Sequence, residues 1–166
     1  LLVGISAAKA IALVWDVPFV AVNHLEAHLY AAFLEEPDLE MPLVIVLVSG
    51  GHTMLILMED HLHYRVLGAT VDDAAGEAFD KVASMLGLPY PGGPAISKVA
   101  VNGDPKAYSF PRSFLKDERL DFSFSGLKTA VRYQIVGPGK QDFRELNLSS
   151  QQVADIAASF QEAVVD

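Results

Sequence analysis

The sequence predicts an α/β fold built as one globular domain. Its 166 residues are 51% hydrophobic and 20% charged, a composition typical of a folded chain with a substantial core. Helical patterns alternate with short apolar runs, and residues 43–48 (LVIVLV) form the continuous β-branched run found in strands buried on both faces. A chain of this length buries about two-thirds of its surface, so any metal would serve function rather than folding.

The predicted elements follow one another along the chain. Residues 2–15 are rich in alanine and read as a helix, which Asp16-Val17-Pro18 ends before a short buried strand at 19–22. Next come a helix over 23–35, a polar loop over 35–42, and strands over 43–48, 53–59 and 63–67 in a mixed sheet that contains a meander and is flanked by helices. The remaining predictions are an amphipathic helix over 72–87, a helix over 95–101, irregular chain over 102–124, a helix over 125–135, a loop over 137–148 and a helical pattern from 150 to 166.

The helix caps and the chain ends carry two further expectations. Asp72 or Asp73 is predicted to cap the helix over 72–87, and Ser125 is predicted to cap the helix that begins there. The chain begins without Met in an apolar segment and stops inside a helical pattern. We therefore expect residues 1–166 to be an internal fragment, incomplete at both ends, with no domain boundary inside it.

Composition and charge exclude several classes of function. The absence of cysteine rules out thiolate catalysis, cysteine-bound zinc and disulfides, leaves His, Asp and Glu as metal ligands, and fits a reducing cytoplasm. A net charge of −9 has the wrong sign for a domain that binds a phosphate backbone by itself, so a nucleic acid would need other regions or proteins. Since no apolar run reaches the roughly 18 residues of a membrane span, we expect a cytoplasmic protein with no membrane partner.

Two histidines, His24 and His28, stand four residues apart in the sequence NHLEAHLYAAF. Residues at this spacing share one helix face, so both imidazoles could bind a single cation; the alternative is a pair of surface histidines without a metal. A metalloprotease has its glutamate beside one of the histidines, as in HExxH or HxxEH. Here Glu26 lies about 200° round the helix from His24, so it is badly placed to serve as the base of a protease.

Two glycine pairs could bring backbone amides close to a ligand. Gly50 and Gly51 follow a buried strand in VSGGHT, where they form either an anion-binding nest or an ordinary hairpin turn. His52, directly after them, reads as a solvent-facing turn residue. Gly92 and Gly93 in YPGGPA stand either at a helix start, with amides pointing outward, or in a loop built from turn-forming residues.

Asp80 lies one helical turn after Glu77 and shares its helix face. Its carboxylate could accept hydrogen bonds from ribose hydroxyls. It could also pair with Lys81 or face solvent. The residues alone leave these interpretations open.

Five sequence blocks occur in a distinctive order: NHLEAHLYA, LVSGGHT, DDAAGEAFDKVA, LPYPGGP and DFSFSGLKTAV. They resemble the TsaD-type family, the tRNA N6-adenosine threonylcarbamoyltransferases formerly called O-sialoglycoprotein endopeptidases, and the resemblance covers residues 1–166. It implies an actin-like ATPase fold, shared with sugar kinases and Hsp70 nucleotide domains, in which two lobes close over a nucleotide. It also implies transfer of a threonylcarbamoyl group from threonylcarbamoyl-adenylate to the exocyclic amine of the tRNA adenosine beside the anticodon, with release of AMP.

The resemblance implies roles for individual residues. His24 and His28 match the family's metal-binding histidines, in a site usually described with iron; zinc and magnesium are alternatives. The positions that match substrate contacts are Leu47, Val48, Ser49, Gly50 and Gly51 in the phosphate region, and Asp80 and Gly93 at the adenosine moiety. No general base is assigned, so the catalytic residues stay unknown. The family's metal-binding aspartate, its asparagine contact and its GIETSCD-type strand and turn have no counterpart in this chain.

The resemblance also implies partners. These are tRNA, threonylcarbamoyl-adenylate or another adenine nucleotide, and proteins of the threonylcarbamoyl-transfer complex, which in bacteria include a paralogue of the same fold and a small ATPase. Two other functions stay open: a metalloprotease, as the older family name suggests, and a non-catalytic nucleotide-binding scaffold of the same fold. The retention of both histidines favours the active branch of the family over the silent paralogue.

Overall fold

A computed structural model describes residues 1–137 and 148–166 of the chain. The loop predicted over 137–148 therefore lies outside the described residues, apart from its two end positions. The fold combines helices with a small antiparallel sheet and forms two compact units, Leu1–Leu39 and Glu40–Asp166. In the described ranges, no helix is long and apolar enough to cross a bilayer.

The first unit consists of helical segments. Helix α1 spans Leu2–Trp15, as predicted, and ends at Asp16 in the left-handed conformation (φ 50°). The strand predicted over 19–22 is wrong, because these apolar residues pair with no strand in the described chain. The helix predicted over 23–35 is divided into α2, His24–Leu29, and a 3₁₀ helix, Tyr30–Leu34.

The sheet of the second unit is a three-stranded meander. Strands β1 (Leu43–Val48), β2 (Thr53–Asp60) and β3 (His63–Ala69) lie close to their predicted positions and pair in the order β1-β2-β3. Both ladders are antiparallel, so the parallel strand pairing that a mixed sheet requires is not found within the described residues. A single isolated parallel bridge joins Thr70 to Phe122.

Strand β1 differs from its prediction in burial. Leu47 is buried, but Val44, Val46 and Val48 on the other face are each more than half exposed. The prediction of burial on both faces is therefore wrong for this chain, since nothing in its described part covers the valine face. The β-branched composition still favours the strand itself.

Four helices pack beside the sheet: α3 (Ala75–Met85), α4 (Gly92–Ala100), α5 (Ser125–Val136) and α6 (Ser150–Val165). Helix α4 begins three residues before its predicted start at Ala95. The four helices bury their apolar faces against one another, with Val82, Ile96, Val131 and Phe160 fully buried at the centre. The residues between α4 and α5 are irregular, as predicted.

The helix caps predicted for α3 and α5 are wrong. Asp72 does not cap α3; its Oδ1 accepts hydrogen bonds from the backbone N–H groups of Phe124 (2.9 Å) and Ser125 (3.2 Å), so it satisfies the start of α5. Ser125 is the first residue of α5 and does not cap it. The first N–H of α3, on Ala75, instead donates to Thr53 Oγ1 in β2 at 2.9 Å. Both caps thus join segments that are distant in sequence.

Asp73 does not cap α3 either; it is the centre of an ion-pair cluster between α3 and α5. Its carboxylate accepts hydrogen bonds from Lys81 Nζ on Oδ1 at 2.8 Å and from Lys128 Nζ on Oδ2. The side chains of Asp73 and Lys128 are only 15% and 19% exposed, so water screens this pair weakly. Lys81 also pairs with Glu77 at 2.7 Å.

The pKa values of both aspartates lie below the ordinary value. Burial by itself raises the pKa of Asp73, but the hydrogen bonds and charges of Lys128 and Lys81 outweigh burial. Burial likewise raises the pKa of Asp72, and the hydrogen bonds from Ser123, Phe124 and Ser125 outweigh it. Both groups are therefore carboxylates at neutral pH, and folding favours their charged form.

We predict that Asp73→Asn lowers the free energy of unfolding at pH 7 by about 1–3 kcal/mol, because it removes the carboxylate partner of Lys128 and leaves Lys81 with Glu77 alone. The folded pKa is depressed below the unfolded value of about 3.9, so this stabilisation is complete above about pH 5 and is lost as the pH falls through the folded pKa. Urea unfolding between pH 7 and pH 3 measures it.

The matched control is Asp117→Asn, which removes an exposed carboxylate whose ion pair, among the described residues, is with the nearby Arg119. Such a pair contributes little, so this variant should unfold almost like the parent protein. If Asp73→Asn showed the same deficit at pH 3 as at pH 7, the ion-pair explanation would be wrong.

Candidate functional site

A cavity of about 630 Å³ lies in the second unit, where the turn after β1 meets α3, the start of α4 and the end of α6. Its volume is in the range of small-molecule sites. The residues predicted as substrate contacts that line it are Val48, Ser49, Gly50, Asp80 and Gly93. Leu47 and Gly51, also predicted, do not line it, because Leu47 turns its side chain into the core and Gly51 lies one position further round the turn.

The turn between β1 and β2 is closed by the side chain of Ser49. Its Oγ accepts hydrogen bonds from the N–H groups of Gly51 (3.3 Å) and His52 (3.0 Å). The backbone N–H of Ser49 donates to the His52 carbonyl (2.8 Å). The segment is therefore a tight hairpin turn, as one interpretation of the sequence predicts, and it also borders the cavity. A Cβ added to Gly50 would meet nothing within 4 Å, so a ligand can approach this backbone closely.

Helix α3 touches this turn through Gly76, a residue that the sequence interpretation missed. The Gly76 N–H donates to the Ser49 carbonyl at 3.2 Å. A Cβ at this position would lie 2.6 Å from that carbonyl oxygen and 2.8 Å from Gly50 Cα, so only glycine fits. The available signal was a glycine inside an otherwise amphipathic helix pattern, which usually has a packing reason.

Asp80 joins α3 to α4. Its Oδ1 accepts the Gly92 N–H at 2.7 Å and so satisfies the first amide of α4, while Oδ2 accepts no hydrogen bond in the described part of the chain. The predicted alternative of pairing with Lys81 is wrong, because Lys81 pairs with Asp73 and Glu77. Asp80 can therefore present one carboxylate oxygen to a ligand.

The two glycines at the start of α4 have different roles. A Cβ on Gly92 would lie 2.5 Å from the Phe79 carbonyl oxygen and 2.6 Å from Asp80 Cα, so Gly92 allows α4 to pack against α3. A Cβ on Gly93 would meet nothing within 4 Å, and Gly93 lines the cavity. Gly92 thus serves packing, while Gly93 leaves room for a ligand.

The histidine pair lies in the first unit, at the start of α2. Asn23 begins the helix by accepting the N–H of Leu25 at 2.9 Å. His24 and His28 are exposed, and their Nε2 atoms are 3.3 Å apart. Two nitrogens bound at about 2.1 Å to one metal lie roughly 3 Å apart, so the pair fits two positions of a metal site.

Within residues 1–137 and 148–166, no cluster of three or more His, Asp or Glu side chains could hold a metal ion. The described chain therefore offers two ligands at most. The imidazole donors suit iron or zinc better than magnesium, which prefers oxygen.

The whole chain, residues 1–166, matches the sequence model of the family TsaD, described as tRNA N6-adenosine threonylcarbamoyltransferase. Curated relatives from several bacteria carry that name, and three of them illustrate the similarity. The protein from Rhodopirellula baltica is 57% identical over 100% of this chain and 47% of its own length, and that from Thermotoga neapolitana is 54% identical over 100% and 48%. The protein from Fervidobacterium nodosum is 48% identical over 100% and 48%.

This chain spans about half the length of the curated relatives that it matches. Within that half, the match is continuous and includes the turn after β1, helix α3, the start of α4 and the histidine pair. The chain belongs to the TsaD family of tRNA N6-adenosine threonylcarbamoyltransferases.

Proposed function

We propose that the full-length protein containing this chain transfers a threonylcarbamoyl group from threonylcarbamoyl-adenylate to the exocyclic amine of the tRNA adenosine beside the anticodon. The observation that supports this most strongly is the cavity of the second unit, which gathers backbone glycines, one carboxylate and apolar walls around a space of about 630 Å³. Family membership supports the reaction class. A non-catalytic scaffold of the same fold would share the cavity, so activity decides between them.

We also propose that residues 1–166 are an internal part of a two-lobed, actin-like ATPase fold. The support is the family match together with the coverage of only about half of each relative. The antiparallel meander with α3 and α4 would then form the part of one lobe that receives the nucleotide. Chain outside residues 1–166 would complete the fold and supply further ligands.

The substrate is a mixed anhydride that is already activated, so the protein's task is orientation and charge stabilisation. The adenosine amine forms a bond to the carbamoyl carbon, the bond from that carbon to the phosphate oxygen breaks, and AMP leaves. No side chain of the cavity is assigned as a general base, and the amine proton passes to solvent. The turn at Ser49 and Gly50 would hold the phosphate, and Asp80 Oδ2 would accept a hydrogen bond from the ribose.

We propose that His24 and His28 hold one divalent metal, with iron preferred over zinc and magnesium. Their Nε2 separation of 3.3 Å supports this assignment. When bound, the metal would supply Lewis-acid polarisation. A third protein ligand would come from outside the described residues.

The charge of the chain bears on its partners. With a net charge of −9, this chain repels a phosphate backbone, so tRNA would be held by other regions or by partner proteins. In a bacterium, the partners would be a paralogue of the same fold and a small ATPase. The reaction would take place in the cytoplasm, where its tRNA substrate resides.

We predict that Gly93→Ala weakens binding of AMP by at least about tenfold, because the added methyl group enters the cavity without touching the protein. Stability should fall slightly, since Gly93 directly precedes Pro94 inside α4 and a Cβ on the residue before a proline disfavours the helical backbone. Calorimetric titration of AMP and thermal unfolding measure the two effects.

The control is Gly126→Ala in the first turn of α5, where an added Cβ also meets nothing within 4 Å and does not line the cavity. It should leave AMP binding unchanged. Equal AMP affinity in Gly93→Ala and the parent protein would show that the nucleotide does not bind beside α4.

The double variant His24→Ala/His28→Ala should lose its bound metal and its modification of tRNA while it stays folded, because both histidines are exposed and contribute no core packing. Mass spectrometry of the metal and of the modified nucleoside measures both losses. His61→Ala, an exposed histidine in the β2–β3 turn, is the control. Unchanged metal content would contradict the assignment of the two histidines.

A further inference from the structure

Gln161 of α6 lines the same cavity as Asp80 and Gly93. The preceding residue, Phe160, is fully buried, and its ring contacts that of Phe79 edge-on at a centroid distance of 5.0 Å. Because Phe79 directly precedes Asp80, this aromatic contact fixes the backbone of Gln161 relative to α3. The position of Gln161 at the cavity is thus set by core packing.

The carboxamide of Gln161 differs from those of the other two glutamines of α6. Gln151 donates to the Asn102 carbonyl and to Asp155, and Gln152 completes the cap at the start of the helix. Gln161 makes no hydrogen bond within the described residues, and its side chain is partly buried. A partly buried amide without a protein partner is suited to bind a ligand.

The cavity that Gln161 lines is mainly apolar. Phe79, Pro94 and Val165 line the cavity with it, and Asp80 is the one carboxylate of the lining. A nucleobase has apolar faces and an edge with a donor beside an acceptor. A glutamine carboxamide offers the complementary acceptor and donor, and pairs in this way with the 6-amino group and a ring nitrogen of adenine.

We propose that Gln161 is a specificity-determining residue that recognises the adenine of the adenylate donor. Its carboxamide oxygen accepts a hydrogen bond from the 6-amino group, and its amide N–H donates to the neighbouring ring nitrogen. This inference rests on the proposed function, since it assigns the base end of the same nucleotide whose phosphate lies at the turn after β1. The base then stacks against the apolar walls of the cavity.

The test compares AMP with purine riboside 5′-monophosphate, which lacks only the 6-amino group, by calorimetric titration of the full-length protein. The parent protein should prefer AMP by about three- to tenfold, the effect of one net hydrogen bond. Gln161→Leu keeps the side-chain volume without the amide, so this variant should bind the two nucleotides with about equal affinity. Glu162→Gln, an exposed neighbour on the same helix, should keep the preference of the parent protein.

An unchanged preference in Gln161→Leu, with AMP still bound, would overturn the role of Gln161 and leave the proposed function intact. No binding of AMP to the parent protein would overturn the proposed function and this inference together. Loss of the preference in Gln161→Leu alone would support the proposal, because a merely structural role would weaken both nucleotides equally.

Discussion

The close approach of α3 to the turn after β1 is the contact on which the cavity depends. It is possible because Gly76 has no side chain: any Cβ would overlap the Ser49 carbonyl and the Gly50 backbone. The Gly76 N–H then donates to that carbonyl, so the same position gives both proximity and a hydrogen bond. The cavity is therefore lined at Gly50 and Gly76 by backbone without side chains, which is the kind of surface that a phosphate can approach closely.

Helix α3 carries the other contacts that shape the second unit. Asp73, just before it, joins it to α5 through Lys128, and Asp80, near its end, joins it to α4 through the Gly92 amide. Most of the charged side chains around α3 thus have partners within the protein. The cavity lining offers a ligand the second oxygen of Asp80, the carboxamide of Gln161, the hydroxyl groups of Tyr90 and Ser97, and backbone. Such a set suits a neutral base and a ribose, while the phosphate depends on the backbone at Gly50, because the N–H groups of Gly51 and His52 already donate to Ser49.

Local sequence patterns predict the elements of this fold well, because periodicity and turn residues act over short distances. Helix α1 and the three strands lie where their patterns place them. The strand at 19–22 fails because apolar residues alone do not supply a neighbouring strand. The caps fail because Asp72 and Thr53 satisfy helix starts about 50 and 20 positions away, which no local pattern reveals.

The site shows the same division between features that local patterns reveal and features that depend on distant contacts. The glycine turns, Asp80 and the histidine pair are visible as motifs, and the family resemblance gives them roles before any geometry is known. The packing role of Gly76 depends on a contact with the turn after β1, and the position of Gln161 depends on which helices meet, so spacing could not predict either. Asp80 illustrates both cases, since its motif suggests a ligand contact but only the fold shows that one oxygen is already bound to Gly92.

The most direct test of the cavity as the nucleotide site is a crystal structure of the full-length protein with AMP. We predict that the phosphate lies against the backbone at Gly50, the ribose beside Asp80 Oδ2 and the base beside Gln161. A second cavity of about 330 Å³, lined by Phe114 and Arg119 among others, offers a different place for the nucleotide. AMP bound there, with the cavity beside α3 and α4 empty, would show that this cavity is not the nucleotide site.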